Sequence, residues 1–328
     1  MAEIVLGIGT SHSPRLSTPF DQWHLHVDRD QKNRHLHFRG NVHTFEELCQ
    51  LRESERIAER ELGEDRWRAK HERCEQAIAE LGQTLADADP DVVVIVGDDQ
   101  REMFLDDGMP AIAVYWGESV DCIPRPSGRS HPSIEAAAWA NHGTERETYT
   151  CDAALGERII RSTIAEGFDV AQLRRQPDGR GIGHAFNFVR RRLMKDKLVP
   201  MVPVTLNTYY PPNQPTPARC YAFGRAIRRA IESWESDARV ALVASGGLTH
   251  FVIDEELDRR VIDGLMERDE QSLSALPVEE LESGTSEIRN WLTVGAAVDH
   301  LQMDLLDYVP IHRTPAGTGC GMTFARWR

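Results

Sequence analysis

Histidines, carboxylates and a glutamine follow apolar, β-branched runs of this chain at the points where those runs end. His12 comes four residues after the first run, and Asp98, Asp99 and Gln100 closely follow another. A third run leads through the sequence Ser-Gly-Gly-Leu-Thr to His250, with further carboxylates just beyond it. Because open α/β sheets place ligand sites at the carboxyl ends of their strands, we expect these side chains to meet at one edge of a sheet.

These residue types suit a metal centre. One imidazole, one carboxylate and a further neutral or acidic oxygen fit a non-haem Fe(II) site that keeps positions open for substrate and dioxygen. The same ligand types also fit a zinc hydrolase, in which a metal-bound water attacks an ester or an amide. A single histidine after a strand is more often a hydrogen-bonded structural residue, so the case depends on the three junctions together. The spacing does not decide between the two chemistries.

The sequence between these residues predicts the elements that position them. Continuous apolar runs indicate buried strands at residues 4–8, 92–96, 111–115, 198–205 and 240–244. Helices are expected at 45–88, either long or broken, and at 152–166, 184–194, 217–233, 255–267 and 286–301. This alternation predicts an α/β sandwich around a central sheet, in a single large domain over residues 1–328. The polar segment 18–43 has no clear period and is either a loop over the site or a surface excursion.

Composition restricts the partners of the chain. Its 38 Lys and Arg residues against 52 Asp and Glu residues give a net charge of −14, which argues against a protein that grips nucleic acid. No apolar run is long enough to span a bilayer and no signal peptide is evident, so we expect a cytoplasmic protein without membrane contact. The six cysteines form no CxxC pair, which indicates neither a thiolate zinc site nor a disulfide framework. A small-molecule partner is therefore expected.

With these residues, the chain resembles the catalytic subunit of the class III extradiol ring-cleavage dioxygenases. The resemblance covers most of the chain and is carried by Ser11-His12-Ser13-Pro14, Asp98-Asp99-Gln100, Gly183-His184, Ser245-Gly246-Gly247-Leu248-Thr249-His250, Glu256, and Gly284-Thr285-Ser286-Glu287-Ile288 with Trp291. It implies a central mixed sheet flanked by helices. The implied reaction opens the ring of a catechol-like aromatic diol and incorporates both atoms of O2.

The resemblance also implies roles for individual residues. In that family Fe(II) is held by the N-terminal histidine, by a second histidine after a strand, and by a downstream glutamate. Carried over, His12 and Glu256 match metal ligands, and Glu255 competes with Glu256. His250 matches the acid/base that handles the substrate hydroxyl proton, and His184 matches a second catalytic histidine of the pocket.

The chain departs from the family at Gln100, where a ligand histidine is usual. Gln100 itself is our first candidate for the vacant metal-ligand position, since its carbonyl oxygen is neutral like imidazole. Asp98, Asp99 or a histidine from the 24–43 segment could fill it instead. A non-catalytic dioxygenase subunit that has lost one ligand is a further interpretation, but the persistence of His12, His184, His250 and Glu256 favours an active site.

Basic residues offer recognition of an anionic substituent such as a ring carboxylate. The candidates are Arg34, His35, His37, Arg125, Arg129 and His131, although each is individually more typical of a solvated surface charge. Tyr209 and Tyr210 either line the pocket or pack beside the prolines that follow them. The chain shows no fused copy of a small second subunit, so a homo-oligomer is expected.

Overall fold

The computed structural model describes residues 1–195 and 198–328. The strands are β1 Glu3–Thr10, β2 Leu36–Phe38, β3 Asn41–His43, β4 Val92–Asp98, β5 Ile112–Tyr115, β6 Ser119–Cys122, β7 Glu147–Thr150, β8 Ala171–Leu173, β9 Met201–Leu206, β10 Arg239–Ser245, β11 His250–Val252, β12 Met303–His312 and β13 Thr318–Trp327. The helices are α1 His24–Gln31, α2 Phe45–Leu51, α3 Ile57–Glu61, α4 Glu64–Ala88, α5 Pro132–Glu135, α6 Ala138–Asn141, α7 Ala153–Ala165, α8 His184–Phe188, α9 Pro217–Glu232, α10 Glu255–Glu267, α11 Glu270–Ser274 and α12 Ile288–Ala297. A π-helical turn, Val189–Met194, continues α8, and 3-10 turns include Ser283–Glu287 before α12.

In the described residues, the central sheet has nine strands and is mixed. Its order is β11-β13-β1-β10-β4-β9-β5-β8, with β12 paired to the other edge of β13. Strands β1, β10, β4 and β9 are mutually parallel, whereas β13 is antiparallel to β1 and β5 is antiparallel to β9. The parallel centre brings the carboxyl ends of β1, β10 and β4 next to one another.

Apolar side chains on both faces of the sheet form two helical layers. Along β4, Val92, Val94 and Val96 pack into one layer, which contains α7, α9, α10 and α12. The alternate residues Val93 and Ile95 pack into the other, which contains α4, α8 and the π-helical turn. A strand buried on both faces requires this continuous apolar run, so the run in the sequence is explained by its central position.

The predicted fold class is confirmed, and all five predicted strands are present. The helix predicted at 255–267 matches α10, and the 45–88 region is broken into α2, α3 and α4. The 18–43 segment differs from an irregular loop, because it contains α1 and the hairpin of β2 and β3. Among the described residues, no helix has both the length and the apolar character needed to cross a membrane.

Candidate active site and metal centre

His12 lies at the carboxyl end of β1 with one ring nitrogen held by the protein. The Ser245 hydroxyl donates to the carbonyl oxygen of Ala185 at 2.7 Å and lies 3.0 Å from Nδ1 of His12. The serine oxygen must therefore accept the Nδ1 proton of His12, which leaves a lone pair on Nε2. Burial lowers the pKa of His12, although Glu287 opposes this effect, and the ring is neutral and ready to bind a cation.

Glu287 is the carboxylate beside His12. It ends the 3-10 turn before α12 and is fully buried, with Oε2 3.3 Å from Nε2 of His12 and accepting the Gly247 amide at 2.8 Å. Its Oε1 lies 3.1 Å from Nε2 of His250 and accepts the Tyr209 hydroxyl at 3.1 Å. Burial would raise the pKa of Glu287, but the adjacent His250 and His12 outweigh burial and hold the pKa well below its usual range.

His184 is the first residue of α8 and points at the same space. Its Nε2 is 3.1 Å from Nε2 of His12, and its Nδ1 is 2.7 Å from Oε1 of Glu102. Burial would lower the pKa of His184, yet Glu102 outweighs it, and the pKa is raised to about 10. The pKa of Glu102 lies far below its ordinary value, because His184 outweighs the effect of burial.

Asp98 is the last residue of β4, Gln100 lies two residues beyond it, and both face the same space. Asp98 is buried, and its Oδ1 has no hydrogen-bond partner among the described residues. Burial, and then Glu287, raise the pKa of Asp98 to about 7. The amide nitrogen of Gln100 lies 3.4 Å from Oδ2 of Asp98 and 3.4 Å from Oε1 of Glu287, so Gln100 faces the two carboxylates as a donor.

Four of these side chains form a group that can hold a metal ion. One ligand atom from each of His12, Asp98, His184 and Glu287 lies within 4.8 Å of every other, and all four residues are buried. The donor set, two imidazoles and two carboxylates, suits a transition metal such as Fe(II) or Zn(II). The unpartnered Asp98 oxygen fits the same interpretation, because a buried carboxylate oxygen without a donor is costly unless a cation satisfies it.

The structure does not bring Glu256 to this group. Its side chain is 73 % exposed and pairs with Arg39 at 2.8 Å, in the first turn of α10, where a carboxylate is favoured by the helix N-terminus. Glu255 is also directed away, with its carboxylate 3.9 Å from His312. Glu287 is therefore the glutamate beside His12, and the expectation for Glu256 is corrected on this geometry.

Asp99 and the histidines of the 24–43 segment do not fill the vacant ligand position. Asp99 accepts the backbone amides of Glu102 at 3.0 Å and Met103 at 2.8 Å, so it stabilises the turn after β4. Of the histidines between residues 24 and 43, His26 lines the cavity at the site, but its Nε2 contacts the Thr18 hydroxyl at 3.2 Å. The sequence analysis did not predict Glu102 as a residue of the site. Its position two residues after Gln100, near a strand end, could have indicated it.

The two glycines before His250 are required by the backbone and by the site. Gly246 has φ of 121° and Gly247 has φ of 67°, a region that favours glycine. A Cβ atom on Gly246 would lie 2.5 Å from Oε2 of Glu287 and 3.2 Å from Cε1 of His12. The motif therefore lets the chain turn directly against the carboxylate, and it delivers His250 to the other oxygen of the same group.

A cavity of about 130 Å³ opens beside the four-residue group. Its lining includes His250 and three arginines, Arg29, Arg125 and Arg313. Arg313 pairs with buried Asp30 at 2.6 Å, and Arg125 lies 3.5 Å from Glu102. Arg29 lies 5.4 Å from the ring centre of Phe251, and no carboxylate pairs with it in residues 1–195 and 198–328.

The cavity lining includes Arg125 but none of the other predicted basic residues, which are Arg34, His35, His37, Arg129 and His131. His131 caps the start of α5. Tyr209 contacts the site through Glu287, and the ring of Tyr210 lies 4.9 Å from the guanidinium of Arg101. Arg29, in the predicted 18–43 segment, was not singled out from the sequence.

Residues 64–317 match the family model described as the catalytic LigB subunit of aromatic ring-opening dioxygenase. The match includes Asp98, His184, His250 and Glu287, whereas His12 precedes it. A gallate dioxygenase of Pseudomonas putida is 36 % identical over 137 residues, which cover 39 % of each chain. A 2,3-dihydroxyphenylpropionate/2,3-dihydroxicinnamic acid 1,2-dioxygenase of Photorhabdus laumondii is 25 % identical over 181 residues, 55 % of this chain and 49 % of the relative.

The matched regions span two fifths and one half of the length of these two relatives. The family model, in contrast, matches more than three quarters of the present chain. Its description agrees with an α/β fold and with a buried metal-binding group beside a cavity. The chain belongs to the LigB family of catalytic subunits of aromatic ring-opening dioxygenases.

Proposed function

We propose that this protein is a non-haem Fe(II)-dependent extradiol dioxygenase, which opens the ring of a catechol-like aromatic with O2. The observation that carries the proposal is the buried group of His12, His184, Asp98 and Glu287, next to His250 and a cavity. When bound there, Fe(II) would supply electron transfer between the electron-rich ring and O2. His12 and Glu287 are the residues that we assign first to holding it.

His250 is proposed as the acid/base. Its Nδ1 donates to the carbonyl oxygen of Leu248 at 3.0 Å, which fixes the ring and directs Nε2 toward Glu287. Burial alone would lower the pKa of His250, but Glu287 outweighs burial and raises the pKa well above its ordinary value. Both ring nitrogens therefore donate, and His250 is an imidazolium as long as Glu287 carries its full charge beside it. When Glu287 is engaged in holding a metal ion, Nε2 would lose this support, so that it could accept a substrate hydroxyl proton and later return it to the oxygen of the opening product.

The cavity supports a substrate with one aromatic ring. Its volume of about 130 Å³ is close to the roughly 150 Å³ cavity that accepts one benzene molecule. Three arginines line the cavity, and Arg29 makes no direct salt bridge to a carboxylate among the described residues, which favours a catechol that carries a carboxylate. Both relatives are named for hydroxylated aromatic carboxylates, in agreement with this substrate class.

The test measures iron per chain and oxygen uptake with a panel of catechols, with and without a carboxylate. The wild type is expected to bind one iron and to consume one O2 per ring opened. His12→Ala should lose iron, and His250→Gln should keep iron but lose roughly 100-fold or more in kcat. The matched control pair is Glu287→Gln, which should lose iron, and Glu256→Gln, which should behave as wild type.

Three outcomes contradict the proposal. Full activity of His12→Ala would exclude the assigned site. Turnover of an ester or amide without oxygen would indicate the zinc hydrolase, and wild-type protein that binds no metal would indicate a non-catalytic subunit. Iron loss in Glu256→Gln, with iron retained in Glu287→Gln, would assign the metal-ligand role to Glu256, as predicted from the sequence.

A further inference from the structure

We propose that His184 is the second histidine ligand of the metal and replaces the strand-end histidine for which this chain has Gln100. Glu102 is the positioning carboxylate that orients His184. This inference deepens the proposed function and rests on it, because it assigns a ligand to the metal that the function requires. It differs from the arrangement implied by the family resemblance, in which His184 is a pocket histidine outside the metal's ligand set.

The first support is the direction of two lone pairs. Glu102 accepts the Nδ1 proton of His184 at 2.7 Å, so a lone pair is available on Nε2 whenever that nitrogen is unprotonated. Nε2 of His12 carries a lone pair for the same reason, through Ser245. The two Nε2 atoms face each other at 3.1 Å, so either a proton on His184 or a metal ion lies between them, and a metal ion in place of this proton would take both lone pairs. A carboxylate on the far nitrogen is also the usual partner of a metal-ligating histidine.

The second support is the spacing of the donor atoms. Ligand atoms about 2.1 Å from an ion, at right angles to one another, are about 3.0 Å apart. The distance between Nε2 of His12 and Nε2 of His184 is 3.1 Å, and that between Nε2 of His12 and Oε2 of Glu287 is 3.3 Å. Both distances fit neighbouring ligand positions around one ion. Two histidines and one carboxylate form the ligand set of non-haem Fe(II) oxygenases.

The third support is the role that Gln100 already has. Its amide nitrogen faces Asp98 and Glu287 at 3.4 Å each, as a donor to carboxylates rather than as an oxygen ligand. Asp98 Oδ1, buried and without a hydrogen-bond partner among the described residues, lies 3.9 Å from Nε2 of His12. A divalent cation between the histidines would face this oxygen, so Gln100 is not needed to complete the site.

The test is metal binding, measured apart from turnover. Co(II) affinity is determined by calorimetry for the wild type, His184→Ala, Glu102→Gln and Gln100→Ala, with His142→Ala as a control because His142 also lines the cavity. Glu102→Gln should bind Co(II) roughly 10- to 100-fold more weakly, as is typical for a residue that supports a ligand. His184→Ala should lose more than this. His142→Ala should remain close to wild type, and Gln100→Ala, which removes only a long contact to the carboxylates, should lose much less than His184→Ala.

Pulsed EPR of the Cu(II)-substituted protein then counts the coordinated imidazoles. We expect two in the wild type and in Gln100→Ala, but one in His184→Ala. Added imidazole should restore the Co(II) affinity of His184→Gly, which a purely structural histidine would not permit. Circular dichroism of each variant verifies that it is folded.

The outcomes separate the two proposals. Unchanged affinity in His184→Ala, or a single imidazole in the wild type, would overturn the assignment of His184 while the proposed function stands. A large loss in Gln100→Ala alone would return the ligand role to Gln100. A wild-type protein that binds neither Co(II) nor Cu(II) at the site would overturn the proposed function together with this inference.

Discussion

Asp258 anchors the residue that precedes the proposed acid/base. It lies on α10, is fully buried, and accepts the Thr249 amide at 2.8 Å and the Thr249 hydroxyl at 2.9 Å. The hydroxyl of Tyr308 donates to the same carboxylate at 2.7 Å. Asp258 thereby fixes the backbone just before His250, and it does so with a group that titrates in an accessible pH range.

Burial raises the pKa of Asp258 from an ordinary value of 3.8 to about 7, although its three donors oppose the increase. The native protein therefore keeps this proton between pH 3.8 and 7, whereas the unfolded chain releases it. Each unit of pKa is worth 1.36 kcal/mol, so this carboxyl lowers the free energy of unfolding by about 1.4 kcal/mol per pH unit as pH rises through that window. The loss levels off above the native pKa, at roughly 4 kcal/mol in total.

Asp258→Asn removes this titration and keeps a similar shape. We expect the difference in unfolding free energy, wild type minus variant, to fall by roughly 2 kcal/mol between pH 5 and pH 7, and to flatten above pH 7. Urea unfolding at pH 5, 6, 7 and 8 measures it, and contributions from other groups cancel in the difference. Asp269→Asn is the control: hydrogen bonds from Ser272 lower the pKa of Asp269, so its difference should stay flat over this range. Parallel profiles for wild type and Asp258→Asn would refute the reasoning.

Two further substitutions test the backbone and the cavity. Gly246→Ala should lose metal affinity as well as roughly 1 to 3 kcal/mol of stability, because its Cβ atom would lie 2.5 Å from Glu287. Gly167→Ala, at φ of 83° with no atom within 4 Å of its Cβ, should lose stability alone, and equal metal affinities in the two variants would contradict the steric argument. Arg29→Met should raise KM about 10- to 100-fold for carboxylated catechols and little for catechol itself, as expected for a lost charged hydrogen bond. Arg129→Met, at an exposed position, is its control, and an equal change for both substrates would argue against carboxylate recognition.

The strands and their ends were predictable because a strand that is buried on both faces requires a continuous run of apolar residues. The run that became β4 is apolar at every position from Val92 to Val96, and polar residues begin where the strand leaves the core. The parallel order of β1, β10 and β4 then brings His12 and Asp98 together without any further sequence signal. The proximity of these side chains thus follows from the sheet topology. It could be predicted once the fold class was predicted correctly.

The identity of the glutamate was not predictable from distance along the chain. Glu256 is six residues after His250, but the helix that carries it begins at Glu255 and directs the Glu256 side chain to solvent. Glu287 is 37 residues after His250 and returns to it on the turn before α12. The sequence signal was the Gly-Thr-Ser-Glu motif that contains Glu287. The motif does not by itself indicate which carboxylate contacts His250.

Glu287 links the candidate metal-binding group to His250, the proposed acid/base. One of its oxygens faces His12 and the Gly247 amide, and the other faces His250 and the Tyr209 hydroxyl. A substitution here will therefore change metal affinity and proton transfer together, and its effects cannot be divided between them. Glu102 contacts His184, away from His250, so Glu102→Gln should weaken metal binding while leaving the position of the acid/base intact. Kinetics of that variant under saturating iron isolate the contribution of the metal ligands from that of proton transfer.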